Sequence, residues 1–201
     1  MELSEVLRQR RMVRNFEARP VPADLVQRVL DAGRRAPSAG YSQGAELLVL
    51  EGAQETGVYW GATTTPEWWE RNPDHAGLKR APVVVLPLAG PGAYVRRYSE
   101  PDKAGSGLHE VGAWPVPYWY VDAAFSVMAM LLAVVDAGLG ALFMGIFRGE
   151  QELLAQLGVP EGLRPIGALL IGWPAPDKPS PSLARGRRPE GEVIHRGRYR
   201  S

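Results

Sequence analysis

Residues 120–137 set the strongest constraint on how this chain can fold, because they form a helical stretch with almost no polar side. Within residues 121–135 only Asp122 and Ser126 interrupt the apolar run, and Asp136 closes it. A helix that is apolar nearly all round must be covered nearly all round, inside a core or at a subunit interface. A membrane span takes roughly 20 apolar residues, so this shorter, interrupted run is read as a buried helix and not as a span. The sequence Asp136-Ala137-Gly138 ends it, with glycine in the position that closes many helices.

The rest of the chain supplies elements that could cover such a helix. Residues 2–10 read as a short helix with Leu3, Val6 and Leu7 on one face. Residues 22–36 read as a second, with Pro22 near its first turn and Leu25, Val29 and Leu30 at helical spacing. Pro37 stops it. Residues 45–50, 82–88, 140–146 and 166–172 are short apolar runs of strand length, and Pro87 points to an edge or a bulge in the second. Residues 150–157 form a short helix. Residues 52–82 carry a weak pattern, read as a partly helical excursion anchored by Trp60, Trp68 and Trp69. Residues 90–118, rich in Gly, Pro and aromatics, read as a long functional loop or a lid with a short helix. Residues 174–201 form an extended Pro- and Arg-rich tail. Interspersed strands and helices predict an α/β or α+β layered sheet, and 201 residues suit one domain.

Composition removes several kinds of chemistry. The chain has no cysteine, which excludes disulfides, thiolate metal sites and cysteine nucleophiles and suits the cytoplasm. The start is amphipathic and arginine-rich and lacks the apolar stretch of a signal peptide. A net charge of +1 gives no global field favouring nucleic acid or a membrane, so an anion site must come from local clusters. His75, His109 and His195 stand far apart, without metal-ligand spacing. Gly138-x-Gly140 follows a helix and precedes a strand, the reverse of the dinucleotide-binding order.

Four segments have the residue types to hold a ligand. Arg10-Arg11-Met12-Val13-Arg14 can surround a phosphate, because guanidinium makes paired charge-assisted hydrogen bonds to its oxygens; by itself it reads more readily as a solvated basic face. Residues 36–43 end a helix and lead to a strand through small residues, which let backbone approach a flat ligand, with the hydroxyls of Ser38 and Ser42 at hand; the plain alternative is a turn. Residues 138–145 end a strand in a glycine whose N–H could face a ring nitrogen, or form a helix cap and core strand. Arg185-Gly186-Arg187-Arg188-Pro189 is a second basic cluster, or a disordered tail.

Taken in order, these segments resemble the FMN-dependent nitroreductase family. The family's opening Arg-Arg/His-Ser-x-Arg/Lys-x-Phe corresponds to Arg10-Arg11-Met12-Val13-Arg14-Asn15-Phe16, and Pro20-Val21-Pro22 follows as its Pro-Val lead into a helix. Its Ala-Pro-Ser-x-x-Asn-x-Gln corresponds to residues 36–43, its long helix ending in Gly-Leu-Gly to residues 121–140, and its terminal Arg-x-Arg-x-Pro to residues 185–189. The resemblance runs over residues 1–50 and 120–198.

It implies an α+β, three-layer α/β/α-like fold: a mixed central sheet wrapped by helices, in an intertwined homodimer with FMN in two sites at the interface. The whole chain would be a single domain, with residues 174–201 as an arm around the partner. Arg10 and Arg11 would bind the FMN phosphate, joined by Arg185 and Arg187, and Arg14 would lie near the pyrimidine edge, where positive charge raises the flavin potential. Pro37, Ser38, Ala39 and Gly40 would line the flavin, partly from the second subunit, with Ser42 beside them. Met144 and Gly145 would pack near the ring and offer a backbone donor toward N5. The implied activity is transfer of electrons from NAD(P)H to a small nitroaromatic- or quinone-like acceptor in a ping-pong flavin cycle. Another flavin reaction (ene reduction, dehalogenation, flavin breakdown) and a non-catalytic flavin or phosphate-ligand module are the alternatives. Three departures touch the implied site: Met12 stands for the usual serine, Tyr41 for asparagine, and Gly44-Ala45 for Pro-Trp. The aromatic stretch 114–120 reads equally as a pocket wall and as loop anchoring.

Overall fold

The computed structural model describes residues 1–199, so the last two residues of the predicted arm lie outside the described residues. Two helices, α1 (Leu3–Gln9) and α2 (Ala23–Arg34), precede the first strand, β1 (Glu46–Glu51). Helices α3 (Gly52–Thr63) and α4 (Pro66–Arg71) and a 3-10 stretch, Pro73–Arg80, then lead to β2 (Val83–Ala89). After α5 (Gly92–Tyr98) comes the long helix α6 (Tyr118–Asp136), followed by β3 (Gly140–Met144), α7 (Glu150–Gln156), the two-residue β4 (Arg164–Pro165) and β5 (Ala168–Gly172).

The strands run in the order β1-β2-β5-β3, with β4 also paired to β2. Strand β2 is buried along its whole length, which is why its sequence is a continuous apolar run and not an alternation. Successive side chains of a strand point to opposite faces, and here they feed two cores. Val84, Leu86, Leu88, Leu142 and Leu170 pack on Tyr59, Trp60 and Leu153 of α3 and α7. Val83, Val85, Ala141, Leu169 and Ile171 pack on Val26, Val29, Val127, Met130 and Val134 of α2 and α6. The result is the α/β/α layering expected from the sequence. The sheet is less mixed than expected: among the described residues its four ladders are all antiparallel, and parallel pairing enters only at the isolated bridge between Met12 and Ala141.

Pro87 marks a bulge and not an edge. Val85 pairs with Leu169 but Leu88 pairs with Pro165, so two residues of β2 face three between β4 and β5. Gly167 lies in the bulge with φ 153°, and Ile166 donates its N–H to the Pro87 carbonyl at 3.0 Å. The extra residue falls where proline has no N–H to give.

Helix α6 answers the opening constraint in halves. Asp122, Ala123, Ser126, Val127, Met130, Leu131 and Val134 are buried on the α2 and sheet side. Phe125 and Met128 on the other side are 47% and 39% exposed. By length and composition α6 could cross a membrane, but its buried face is taken by the protein core. The region 52–80 is more helical than expected, and the loop 90–118 contains α5. Trp114 and Trp119 are buried around Tyr94, so these two indoles anchor the loop, while Val116, Tyr118 and Tyr120 remain exposed.

Gly149, before α7, holds φ +67°, and a Cβ there would fall 2.0 Å from the carbonyl oxygen of Ala62 in α3. The neighbour is helix backbone and cannot step aside. Gly149→Ala is therefore expected to lower stability by about 2–4 kcal/mol, read as the shift in a urea unfolding midpoint. A loss under about 1 kcal/mol would mean that α3 and α7 separate easily.

Candidate functional site

The arginine segment follows α1 and lies along β3, the free edge of the sheet. Val13 donates its N–H to Ala141 at 2.8 Å, and Met12 forms the parallel bridge to the same residue. The Met12 side chain packs against both cores, so in the place where the family has serine this chain offers core packing and backbone. The Arg14 guanidinium folds back on the Met12 carbonyl at 3.4 Å. Met144 and Gly145 lie at the far end of β3, and three strand residues from Ala141 to Met144 span about 10 Å. The Phe147 ring covers Gly145, close enough that a Cβ there would meet it at 2.7 Å.

The root of the tail is pinned to this segment. Glu17 donates to the Trp173 carbonyl and Ala175 to that of Asn15, and Asn15 Nδ2 reaches the Pro176 carbonyl at 2.7 Å. Asp177 accepts from the Arg14 N–H at 2.7 Å and lies 3.6 Å from the Arg11 guanidinium. Beyond it the tail is exposed almost throughout, Arg185 and Arg187 included. Among the described residues no carboxylate pairs with Arg10, Arg185 or Arg187.

The second predicted segment, residues 36–43, is a strained loop held by a buried carboxyl group. Gly40, Tyr41 and Gln43 all have positive φ (60°, 58° and 49°), a conformation that costs a non-glycine residue about 1–3 kcal/mol. Asp122 of α6 accepts from the Ala39 N–H and the Tyr94 hydroxyl, both at 2.8 Å. Arg97 donates to the Gly40 carbonyl at 2.9 Å and pairs with Asp102 through both guanidinium nitrogens. The Ser42 hydroxyl donates to the Ala39 carbonyl, and Ser38 Oγ accepts from the Gln43 N–H. Both predicted ligand hydroxyls thus also shape their own loop. A cavity of about 140 Å³ opens beside Pro37, Ser38 and Asp122.

Within one chain the predicted residues fall into two groups. Arg10, Arg11, Met12, Arg14, Met144 and Gly145 lie along β3. Pro37, Ser38, Ala39, Gly40 and Ser42 precede β1, the opposite edge strand, and are tied to α5 and α6. Three strand spacings separate those edges, roughly 14 Å, and the cavity beside Pro37 and Ser38 is lined by none of the β3 group.

The sequence reading missed Asp122, Tyr94 and Asp177 as positioning groups, and it missed a cavity of about 360 Å³ between α3–α4 and the end of β3. Asp122 carried a signal, as one of two polar residues inside the apolar helix. The burial of Tyr94 and its hydrogen bond to Asp122 push its phenol pKa well above the usual range, so its proton stays on the hydroxyl that donates to Asp122.

Fold and site place the chain among three-layer α+β proteins with an arginine-rich segment along one sheet edge. More narrowly, it belongs to the nitroreductase family, whose model matches residues 7–173. It is similar to the FMN reductase [NAD(P)H] of Bacillus subtilis, at 24% identity over 98% of this chain and 74% of that one. It is 27% identical to the 5,6-dimethylbenzimidazole synthase of Rhodospirillum rubrum, over 95% of this chain and 92% of that one. Among solved structures, an assigned nitroreductase from Desulfovibrio desulfuricans in complex with FMN matches with a TM-score of 0.70 and 24% identity, covering 100% of this chain and 99% of that one. That last likeness is one of fold.

Proposed function

We propose that this chain is an FMN-dependent oxidoreductase that takes electrons from NAD(P)H and passes them to a small nitroaromatic- or quinone-like acceptor, acting as a cytoplasmic homodimer. The observation that carries the reading is Arg10 beside the β3 edge with Arg185 and Arg187 on the tail rooted there, none of them paired with a carboxylate among the described residues. Arg10 leads into the strand-paired segment, and the tail bearing Arg185 and Arg187 is rooted beside it by Asp177. A phosphate needs such donors, unspent on internal carboxylates. Family membership and the FMN-named relative support the same cofactor.

In this reading FMN, when bound, supplies the two-electron carrier. Arg10, Arg11, Arg185 and Arg187 hold its phosphate, and Arg14 places positive charge at the pyrimidine edge. The Gly145 amide serves as donor at the ring, with Phe147, 95% exposed, free to swing off it. The loop 36–43 supplies Pro37, Ser38, Ala39, Gly40 and Ser42, partly from the partner subunit; in its own chain that loop leads into the other edge strand, which supports the partner's share.

The purified protein is expected to be yellow and to release FMN on denaturation. Arg10→Ala is expected to weaken FMN binding roughly tenfold, the loss of one charge-assisted contact, measured by flavin fluorescence titration. A protein that stays colourless with excess FMN would sink the reading. The Rhodospirillum rubrum relative favours a second reading, synthesis of 5,6-dimethylbenzimidazole. Chromatography for that product, after incubating the flavin-loaded protein with NADPH in air, separates the two.

A further inference from the structure

The cavity between α3–α4 and the end of β3 is built for a charged guest. Its rings are Trp60, Trp68 and Phe147, and Met144 and Gly145 form its floor. Its threonine hydroxyls are already committed: Thr63 and Thr64 donate to the Tyr59 and Trp60 carbonyls, and Thr65 Oγ1 caps α4 by accepting from the Trp68 N–H. What remains are the indole N–H of Trp60, buried without a partner, and the guanidinium groups of Arg71 and Arg148. Each guanidinium makes one bond to a backbone carbonyl, Arg71 to Glu67 at 3.2 Å and Arg148 to Thr64 at 3.1 Å. Among the described residues neither forms an ion pair. Glu67 is exposed and is not part of the cavity wall. Its carboxyl is held below the usual range first by hydrogen bonds to its own backbone and to Thr65, and only lastly by Arg148.

We infer that this cavity selects a planar aromatic anion, such as an aromatic carboxylate, as the electron acceptor. Flat rings stack on indole and phenyl faces, and guanidinium groups without internal partners bind carboxylate by paired hydrogen bonds. A neutral guest of the same shape leaves both charges unanswered. The inference rests on the proposed flavin reading only for the guest's role as acceptor, since Met144 and Gly145 are the residues that reading sets against the ring.

The test is calorimetric titration of the protein with 4-nitrobenzoate and with its neutral counterpart 4-nitrobenzamide, with and without FMN. The anion is expected to bind roughly tenfold more tightly, the effect of a charge-assisted contact over a neutral one. Arg148→Gln with Arg71→Gln should erase that preference, and Arg148→Lys should keep part of it. Both side chains are exposed, so the variants are expected to fold. Equal binding of the two probes, or a preference that survives the double substitution, overturns the inference. An anion preference in a protein that never takes up FMN would overturn the flavin reading and leave the anion site standing.

Discussion

Replacing Phe125 and Met128 together by glutamate is expected to convert the proposed dimer to monomers and, in the same step, to empty the flavin site. Both side chains stand on the outer face of α6, 47% and 39% exposed in a helix whose inner face is packed. Leu3 and Leu7 of the neighbouring α1 are exposed as well. In a two-fold interface each residue is used twice, so two substitutions remove four large apolar side chains. At about 1.5–3 kcal/mol for each buried side chain, the loss is at least on the order of 6 kcal/mol, some four decades in the dimer constant. Sedimentation would show the mass halved, with the far-UV spectrum unchanged, because neither side chain supports its own core. Flavin should go with the dimer, since the loop 36–43 leads into β1, the strand at the opposite edge of the sheet from β3. A variant that stays dimeric would move the interface off α6. A monomer that still holds FMN would mean that one chain suffices for the site.

The sequence made the layering legible because each element announces itself locally. The unbroken apolar run of β2 reads as a strand buried on both faces, and Pro87 as the place where its pairing must slip. The arginine motif and the loop 36–43 were legible too, as short contiguous patterns. Pairing direction was not, since an antiparallel and a mixed sheet draw on the same apolar runs. The outer face of α6 could not be told from its inner face, because both are apolar. Nor could the cavity holding Arg71 and Arg148, whose walls come from segments more than 70 residues apart in the chain. Its cations matter through what they lack, and a missing ion pair has no sequence pattern. Asp177 illustrates the same limit: a tail carboxylate looks solvated until the tail root is seen folding back on Arg14.

Asp122→Ala is expected to be the most damaging single change at the loop 36–43, costing about 3–5 kcal/mol. The carboxyl group is 3% exposed, and one of its oxygens accepts both the Ala39 N–H and the Tyr94 hydroxyl. Alanine leaves the buried Tyr94 hydroxyl and the half-buried Ala39 N–H without their acceptor, at about 1–3 kcal/mol each and less for the second. It also releases the strut that holds Gly40, Tyr41 and Gln43 at positive φ. Gly40 sits under the Tyr98 ring, which would lie 2.7 Å from a Cβ added there, so this turn of the loop accepts only glycine. Urea unfolding measures the total, and a double-substitution cycle with Tyr94→Phe isolates the share of the phenol bond. If the loop is held as the geometry indicates, Tyr94→Phe costs little once Asp122 is gone, because its hydroxyl has already lost its acceptor. Full additivity would show that the two groups act independently, with the loop held instead by Arg97 at the Gly40 carbonyl. Proteolysis tells these apart. A loop tied through Asp122 becomes cleavable near Tyr41 in Asp122→Ala while the sheet stays folded, whereas a loop tied through Arg97 does so only in Arg97→Ala.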